Sequence, residues 1–192
     1  MLAEKLSDYN IILASNSPRR QQFFKDLNLE FTIDAKNVEE IYDESLQGSE
    51  ITNYLAKLKA SPFINLSEND LLITSDTIVW LNNKALGKPK NYDEAFEMLA
   101  NLSGTSHTVI TSVFIKNQKF QKLIHDTTEV TFKTLQPEEI EYYIKKYKPY
   151  DKAGSYGIQD WIGKIGITQI KGCYFNVMGL PVQKLYKELM NL

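Results

Sequence analysis

Ile11-Ile12-Leu13-Ala14-Ser15-Asn16-Ser17-Pro18-Arg19-Arg20 is the stretch that decides the fold. Residues 11–14 are apolar and read as a short buried strand. A polar turn follows, and Pro18 then opens an amphipathic run from Arg19 to Leu29. Proline fits the first helical position, and Ser17 before it is a good N-cap. The hydroxyls of Ser15 and Ser17, the guanidiniums of Arg19 and Arg20 and the positive end of a helix therefore meet just after a strand. Such a place suits an anion, phosphate above all. Taken alone, the same residues also describe a capped helix with two solvated arginines.

The rest of the chain alternates strand and helix signals without a linker, repeat or low-complexity tract. Residues 31–33 form a second strand signal. Ser49 caps a helix to about Ala60, with Ile51, Leu55 and Leu58 at helical spacing. Residues 71–74 and 77–81 are strand-like, and Asn82-Asn83 is a hairpin turn, because Asn tolerates positive φ. A helix starts at Asn91 or Asp93 and closes at Gly104. Residues 108–115 and 123–132 are β-branched and alternating, as in two paired strands. Pro137 opens a helix with Lys145, Lys146 and Lys148 towards its end, a glycine-rich region covers 154–179, and Pro181 starts the last helix. The mixture predicts an α/β fold, a mixed β-sheet flanked by helices.

Composition bounds the function. With 192 residues, 43% of them hydrophobic and 24% charged, the chain is expected to fold as one globular domain, 1–192. Its 22 basic and 24 acidic side chains give a net charge of −2, so no basic stripe points to nucleic acid. The single cysteine, Cys173, excludes an internal disulfide framework and a cysteine-based zinc site. No apolar run approaches the roughly 18 residues of a membrane span. The start lacks the features of a signal peptide, so a cytoplasmic location is expected.

Three further groups carry chemistry. Ser75-Asp76-Thr77 closes the apolar run Leu71-Leu72-Ile73, and strand ends are where α/β proteins place ligands. The turn at Asn82-Asn83 folds Gly87-Lys88-Pro89 back beside them. A two-residue turn sets Thr77 opposite Lys88; a three-residue turn or a bulge at Gly87 sets Asp76 there instead. An Asp-Lys pair that merely stabilises a hairpin fits as well. Glu39-Glu40, with Asp43 and Glu44, is an acidic loop of the kind that suits Mg²⁺ or simply faces water. In Asp151-Lys152-Ala153-Gly154-Ser155-Tyr156-Gly157-Ile158-Gln159 the glycines allow close backbone approach, and Gln159 can read the edge of a base. A tight structural turn explains the glycines equally. His107 and His125 lack metal-like spacing and read as structural.

Taken in order, these pieces resemble the Maf family of nucleoside triphosphate pyrophosphatases along nearly the whole chain. The others that carry the resemblance are Leu55-Ala56-Lys57-Leu58-Lys59-Ala60, Ser103-Gly104-Thr105-Ser106-His107-Thr108-Val109 and Asn176-Val177-Met178-Gly179-Leu180-Pro181. Arg19-Arg20, Thr77 and Gly157-Ile158-Gln159 resemble the subgroup acting on dTTP and UTP. A sister branch acting on 7-methyl-GTP differs at the positions of Arg19, Thr77 and Gln159. Two departures are visible: Tyr54 stands where many members carry Arg, and Ser112 where Gly is usual.

The resemblance implies a Maf/ITPase-like fold with a nucleotide cleft at the strand ends. It implies hydrolysis of dTTP, UTP and modified pyrimidine nucleotides to the monophosphate and pyrophosphate. Asp76 would be the general base, with Glu40, Lys59 and Lys88 completing the catalytic set. Ser15, Ser17, Arg19, Arg20, Thr77 and Gln159 would bind substrate. Glu40 and Asp76 would hold a divalent cation, Mg²⁺ or Mn²⁺. The phosphate-binding cations are expected to face solvent. The expected partner is the nucleoside triphosphate, with no nucleic acid and no membrane; a homodimer is left open. The alternatives are a pyrophosphatase for another non-standard nucleotide, and a non-catalytic nucleotide-binding regulator of cell division. No Gly-x-x-x-x-Gly-Lys-Ser/Thr loop exists, so this is not a P-loop protein.

Overall fold

The computed structural model describes residues 1–192. Its helices are α1 (Leu2–Lys5), α2 (Pro18–Asp26), α3 (Ser49–Ala60), α4 (Tyr92–Leu102), α5 (Pro137–Tyr147), α6 (Trp161–Gly166), α7 (Tyr174–Val177) and α8 (Val182–Met190). Its strands are β1 (Asn10–Leu13), β2 (Thr32–Ile33), β3 (Asp70–Leu81), β4 (Lys84–Leu86), β5 (Ser106–Lys116), β6 (Gln121–Phe132) and β7 (Ile167–Lys171). Strand order is β2-β1-β3-β5-β6-β7, with β4 also paired to β3. β1 runs parallel to β2 and β3, whereas the β3–β4 and β6–β7 pairs are antiparallel, so the sheet is mixed as expected. No helix is long and apolar enough to cross a membrane.

The chain forms two compact units. One comprises Met1–Asp76, Thr111–Asp126 and Gly179–Leu192; the other comprises Thr77–Ile110 and Thr127–Met178. In the first, Ala14, Ala56, Ala60, Phe63, Leu72 and Phe114 form a core in which the small residues of α3 lie against the sheet. In the second, Val79, Leu99, Val109, Phe132, Ile144, Ile158 and their neighbours form a larger core.

Three local predictions meet a different backbone. The two strands read at 71–74 and 77–81 are one continuous strand, so Asp76 lies inside β3 rather than at its end. It is β1 that stops, at Leu13 opposite Ile73. The polar triplet interrupts the apolar run, but β3 keeps β5 as a neighbour on its other side and so remains extended. Ser49 is the first residue of α3, and Gly48 with φ 52° takes the cap position. The glycine-rich region contains a strand, β7, whose residues are mostly exposed.

The hairpin at Asn82-Asn83 is a two-residue turn, with Leu81 paired to Lys84 and both asparagines at positive φ, 49° and 60°. That is the turn whose twist matches a β-hairpin. Gly154 needs its missing side chain twice over. Its φ is +66°, and a Cβ there would lie 2.8 Å from a Val79 methyl. Its N–H also donates to the Gly87 carbonyl at 3.0 Å, fixing the 153–160 loop against the end of the hairpin.

His107 is buried, pairs with the Tyr156 hydroxyl at 2.7 Å and stacks on Phe132. Burial lowers its pKa from 6.5 to about 4, so the imidazole is neutral in the fold. Stability owed to the neutral form is complete above the unfolded-state value near 6.5 and is lost as pH falls through the window from 6.5 to 4. Unfolding free energy should drop across that window by on the order of 3 kcal/mol more in the parent than in His107→Gln; equal slopes in urea titrations would remove His107 as the cause. Gly154→Ala should cost on the order of 1–3 kcal/mol in the same assay.

Candidate active site

In the first unit, β1 delivers the chain to the turn before α2. The Ala14 N–H donates to the Ile73 carbonyl at 2.9 Å, the last parallel-ladder bond before the chain leaves the sheet. Ser15 Oγ accepts from the Ser17 N–H at 3.3 Å, and the Ser15 carbonyl accepts from Gln21 Nε2 at 3.2 Å. Ser17 is the N-cap of α2 and Pro18 its first residue, as the sequence predicts, but the Ser17 side chain makes no capping bond. Its hydroxyl therefore does not satisfy the helix end.

Arg20 turns inwards. Its Nε donates to the Gly179 carbonyl at 2.8 Å, and one terminal nitrogen donates to the Ser75 carbonyl at 2.8 Å and to Ser15 Oγ at 3.5 Å. It thus ties α2 to β3 and to the segment before α8. Burial lowers its pKa to about 10; Asp76 and Glu40 pull it up, and Arg19 pushes it down. Arg20 stays protonated at neutral pH.

The acidic centre is built by α3 and β3. Thr74 and Asp76 lie two apart on β3 and so share a face. Ala56 and Lys59 lie three apart on α3 and share a face too. The two faces meet: Thr74 Oγ1 donates to the Ala56 carbonyl at 2.5 Å, and Lys59 Nζ donates to Asp76 Oδ1 at 2.5 Å. The same ammonium lies 3.1 Å from Glu40 Oε1. Side-chain exposure is 8% for Asp76, 17% for Lys59 and 47% for Glu40. Asp76 is thus the enclosed member and Glu40 the open one. The expectation that these cations face solvent fails for Lys59, because a carboxylate as enclosed as Asp76 requires a counter-charge. Of the acidic loop only Glu40 joins the centre. Glu39 is exposed, and Asp43 is occupied by Ser45, whose hydroxyl and N–H both lower its pKa.

The structure resolves the pairing that the sequence left open. The turn has two residues and pairs Val79 with Leu86, the register of the alternative that sets Thr77 towards Lys88, although the ladder itself ends at Leu86. The cation on Asp76 is Lys59, and Lys88 is exposed. Lys88, Thr77 and Gln159 belong to the second unit, where Thr77 and Gln159 are half-buried. Gln159 Oε1 is buried and has no hydrogen-bond partner. Two residues absent from the sequence reading act on its loop. Tyr143 Oη donates to Asp160 Oδ2 at 2.7 Å and accepts from the Gly157 N–H at 3.1 Å. The only sequence signal for this was an Asp directly after Gly157-Ile158-Gln159. Of the two departures, Ser112 is buried and donates to Asn53 Oδ1 at 2.8 Å, with Thr52 Oγ1 at 2.6 Å, so its hydroxyl ties α3 to β5. Tyr54 is exposed.

No group of three His, Cys, Asp or Glu side chains converges anywhere in the structure. Glu40 and Asp76 nonetheless fit Mg²⁺ or Mn²⁺. Their oxygens already flank one cation, and Mg²⁺ commonly takes one or two carboxylates, keeps several waters and adds substrate phosphates.

A family model described as Maf-like protein matches residues 10–192. The chain is 60% identical over 193 residues to a Flavobacterium johnsoniae protein named dTTP/UTP pyrophosphatase, covering 100% of both. It is 58% identical to a Flavobacterium psychrophilum protein of that name, covering 100% of this chain and 98% of the other. It is 50% identical to one from Phocaeicola vulgatus, covering 100% of both. Among solved structures it is similar to a HAM1 protein from Coxiella burnetii, with TM-score 0.51, 15% identity and 96% of this chain and 100% of the other covered. That last likeness concerns the fold alone.

These contacts separate the cations by what their removal does. Arg20→Ala should destabilise the protein by on the order of 2 kcal/mol, because it deletes hydrogen bonds from a charged donor to two carbonyls. Lys59→Ala should also lower the melting temperature, since it leaves Asp76 without this counter-charge. Lys88→Ala should stay within roughly 0.5 kcal/mol of the parent. Thermal and urea melts of the three variants check the order; a Lys88 variant as unstable as the Arg20 variant would contradict it.

Proposed function

The chain belongs to the Maf family, and we propose that it is a cytoplasmic pyrophosphatase that hydrolyses dTTP and UTP, and modified pyrimidine nucleotides, to the monophosphate and pyrophosphate. The observation that carries this reading is the pair of carboxylates, Asp76 and Glu40, arranged around one ammonium, that of Lys59. A protein that only binds nucleotide has no need of an enclosed acid beside a triphosphate, where it repels the ligand. Relatives 47–60% identical over nearly the whole chain and named dTTP/UTP pyrophosphatase support the substrate.

The chemistry follows from the residue types. A nucleoside triphosphate carries about four negative charges, so its binding draws on cations and N–H or O–H donors. Arg19, Lys59 and Lys88 supply charge; Ser15, Ser17 and the start of α2 supply donors; Arg20 holds the Ser15 turn and the Ser75 carbonyl in place while adding its own charge. Asp76 accepts the proton of the attacking water, and the bond between the α and β phosphates breaks to release pyrophosphate. Glu40 and Asp76 would hold the divalent cation, Mg²⁺ or Mn²⁺, which when bound polarises the phosphoryl oxygens.

The base is read by neutral groups. Uracil and thymine share an O4 acceptor and an N3–H donor, a pattern that cytosine inverts. Thr77 and Gln159 hydrogen-bond that edge, and Gln159 Oε1, buried and unpartnered, is the acceptor for N3–H.

Pyrophosphate release from dTTP, UTP, CTP, dATP and GTP with Mg²⁺ or Mn²⁺ is the deciding experiment, with dTTP and UTP expected to lead. Equal activity on CTP and dTTP would remove the pyrimidine-edge reading. Asp76→Asn should lower kcat on the order of 10²–10⁴-fold with nucleotide binding largely kept; a variant that turns over dTTP at the parent rate excludes Asp76 as base. Glu40→Gln should raise the metal concentration needed for half-maximal activity, and an unchanged metal titration would take Glu40 out of the metal site.

A further inference from the structure

The reading of dTTP and UTP against CTP poses a problem that Gln159 cannot solve alone. A primary amide carries an acceptor and a donor side by side. Rotated by half a turn about its last bond, it presents the inverted pattern and pairs with cytosine as well as it paired with uracil. Selectivity therefore requires that the amide be held one way round.

The second unit contains the apparatus to do this. The Tyr143 ring is fully buried on α5 and stacked on Tyr147 with centroids 5.1 Å apart, which fixes its hydroxyl in space. That hydroxyl touches both ends of the turn that carries Gln159: it accepts from the Gly157 N–H at 3.1 Å and donates to Asp160 Oδ2 at 2.7 Å. The Asp160 N–H closes the turn on the Gly157 carbonyl at 3.0 Å. Behind it, a Cβ on Gly163 would stand 2.0 Å from the Ile158 carbonyl oxygen, so α6 is pressed directly against the turn. Ile158 is buried in the core, which leaves Gln159 as the side chain the turn presents.

Asp160 occupies the N-cap of α6, where an Asp ordinarily accepts from the first-turn N–H groups. Here it makes no such bond; its Oδ2 accepts from Tyr143 and lies 3.8 Å from Lys152 Nζ. Asp160 Oδ2 and Gln159 Nε2 lie 2.7 and 3.1 Å from the point where a Gly157 side chain would begin. The carboxylate and the amide nitrogen thus lie on the same side of Gly157, where the negative charge favours Nε2 over Oε1. Burial and the bond to Asp160 keep the Tyr143 hydroxyl protonated far above neutral pH, so it remains a donor.

We propose that Tyr143 and Asp160 are positioning residues that fix the orientation of the Gln159 amide and so set the preference for dTTP and UTP over CTP. This rests on the reading of Gln159 as the base-contacting residue.

The test compares kcat/KM for dTTP and CTP in the parent, Gln159→Ala, Tyr143→Phe and Asp160→Asn, with KM and kcat resolved. Tyr143→Phe removes only the hydroxyl. Asp160→Asn keeps an acceptor for that hydroxyl but removes the charge that orients the amide. Both should lower the dTTP-to-CTP ratio by about tenfold, mainly through KM, with kcat on dTTP moving much less. If Tyr143→Phe folds poorly, Asp160→Asn carries the result, because its shape and hydrogen bond survive. A ratio that falls in Gln159→Ala but stays at the parent value in both other variants overturns the positioning role alone. A ratio unchanged in Gln159→Ala overturns the base-reading role, and the positioning role with it. Equal losses on both nucleotides, through kcat, would make the pair merely structural.

Discussion

Asp76 is a carboxylate enclosed within a sheet strand, and the first unit is organised around that fact. A charge with so little access to water is tolerated only beside an opposite charge or strong hydrogen-bond donors. Lys59 is the counter-charge, and it reaches Asp76 because α3 lies over β3 in one register, set by the bond from Thr74 to the Ala56 carbonyl. Ala56 and Ala60 are small enough to let the helix come that close. Ser112 bonds to Asn53 and lies against Thr52, which anchors the other end of the same helix. A shift of α3 by one residue would carry Lys59 away from Asp76 and leave the carboxylate alone.

The second unit depends on close approach instead of charge. Gly154 sits at positive φ against Val79, Gly157 leaves room for the Asp160 carboxylate, and Gly163 admits the Ile158 carbonyl. Each absent side chain lets backbone pass where a Cβ would collide. The result is a loop whose course is dictated by contacts at several points, and a Gln159 whose backbone has little freedom. Loops usually carry function at the cost of order; this one is held by the core beneath it.

How much of this was legible in the sequence depended on range. Local signals read well: Pro18 at the start of α2, Asn91 accepting from the Glu94 N–H at the start of α4, and the two asparagines of the hairpin are each settled within four residues. β3 was divided because Ser75-Asp76-Thr77 looks like a break in an apolar run, whereas the extended backbone is maintained by neighbouring strands that sequence pattern does not display. β7 was missed because an exposed edge strand buries little and so shows little alternation. The wiring of the candidate residues was not legible. Lys59 is expected in the catalytic set, but its bond to Asp76 spans 17 positions, and the inward turn of Arg20 to Gly179 spans 159. Tyr143 carried no signal at all, since a tyrosine in an amphipathic helix reads as core.

The division of residues between the units follows a physical logic. Asp76, Glu40, Lys59, Arg19 and Arg20 lie in the first, and Thr77 and Gln159 in the second. Every nucleoside triphosphate presents the same chain of phosphates, so charged groups aimed at it add affinity and reactivity without telling one nucleotide from another. Discrimination needs directional, neutral hydrogen bonds whose mismatch leaves a buried polar atom unpaired. One of the four crossings of the chain between the units falls on the peptide bond joining Asp76 to Thr77. Adjacent residues of one strand point to opposite faces, so Asp76 and Thr77 differ in the face of β3 they occupy as well as in the unit they belong to.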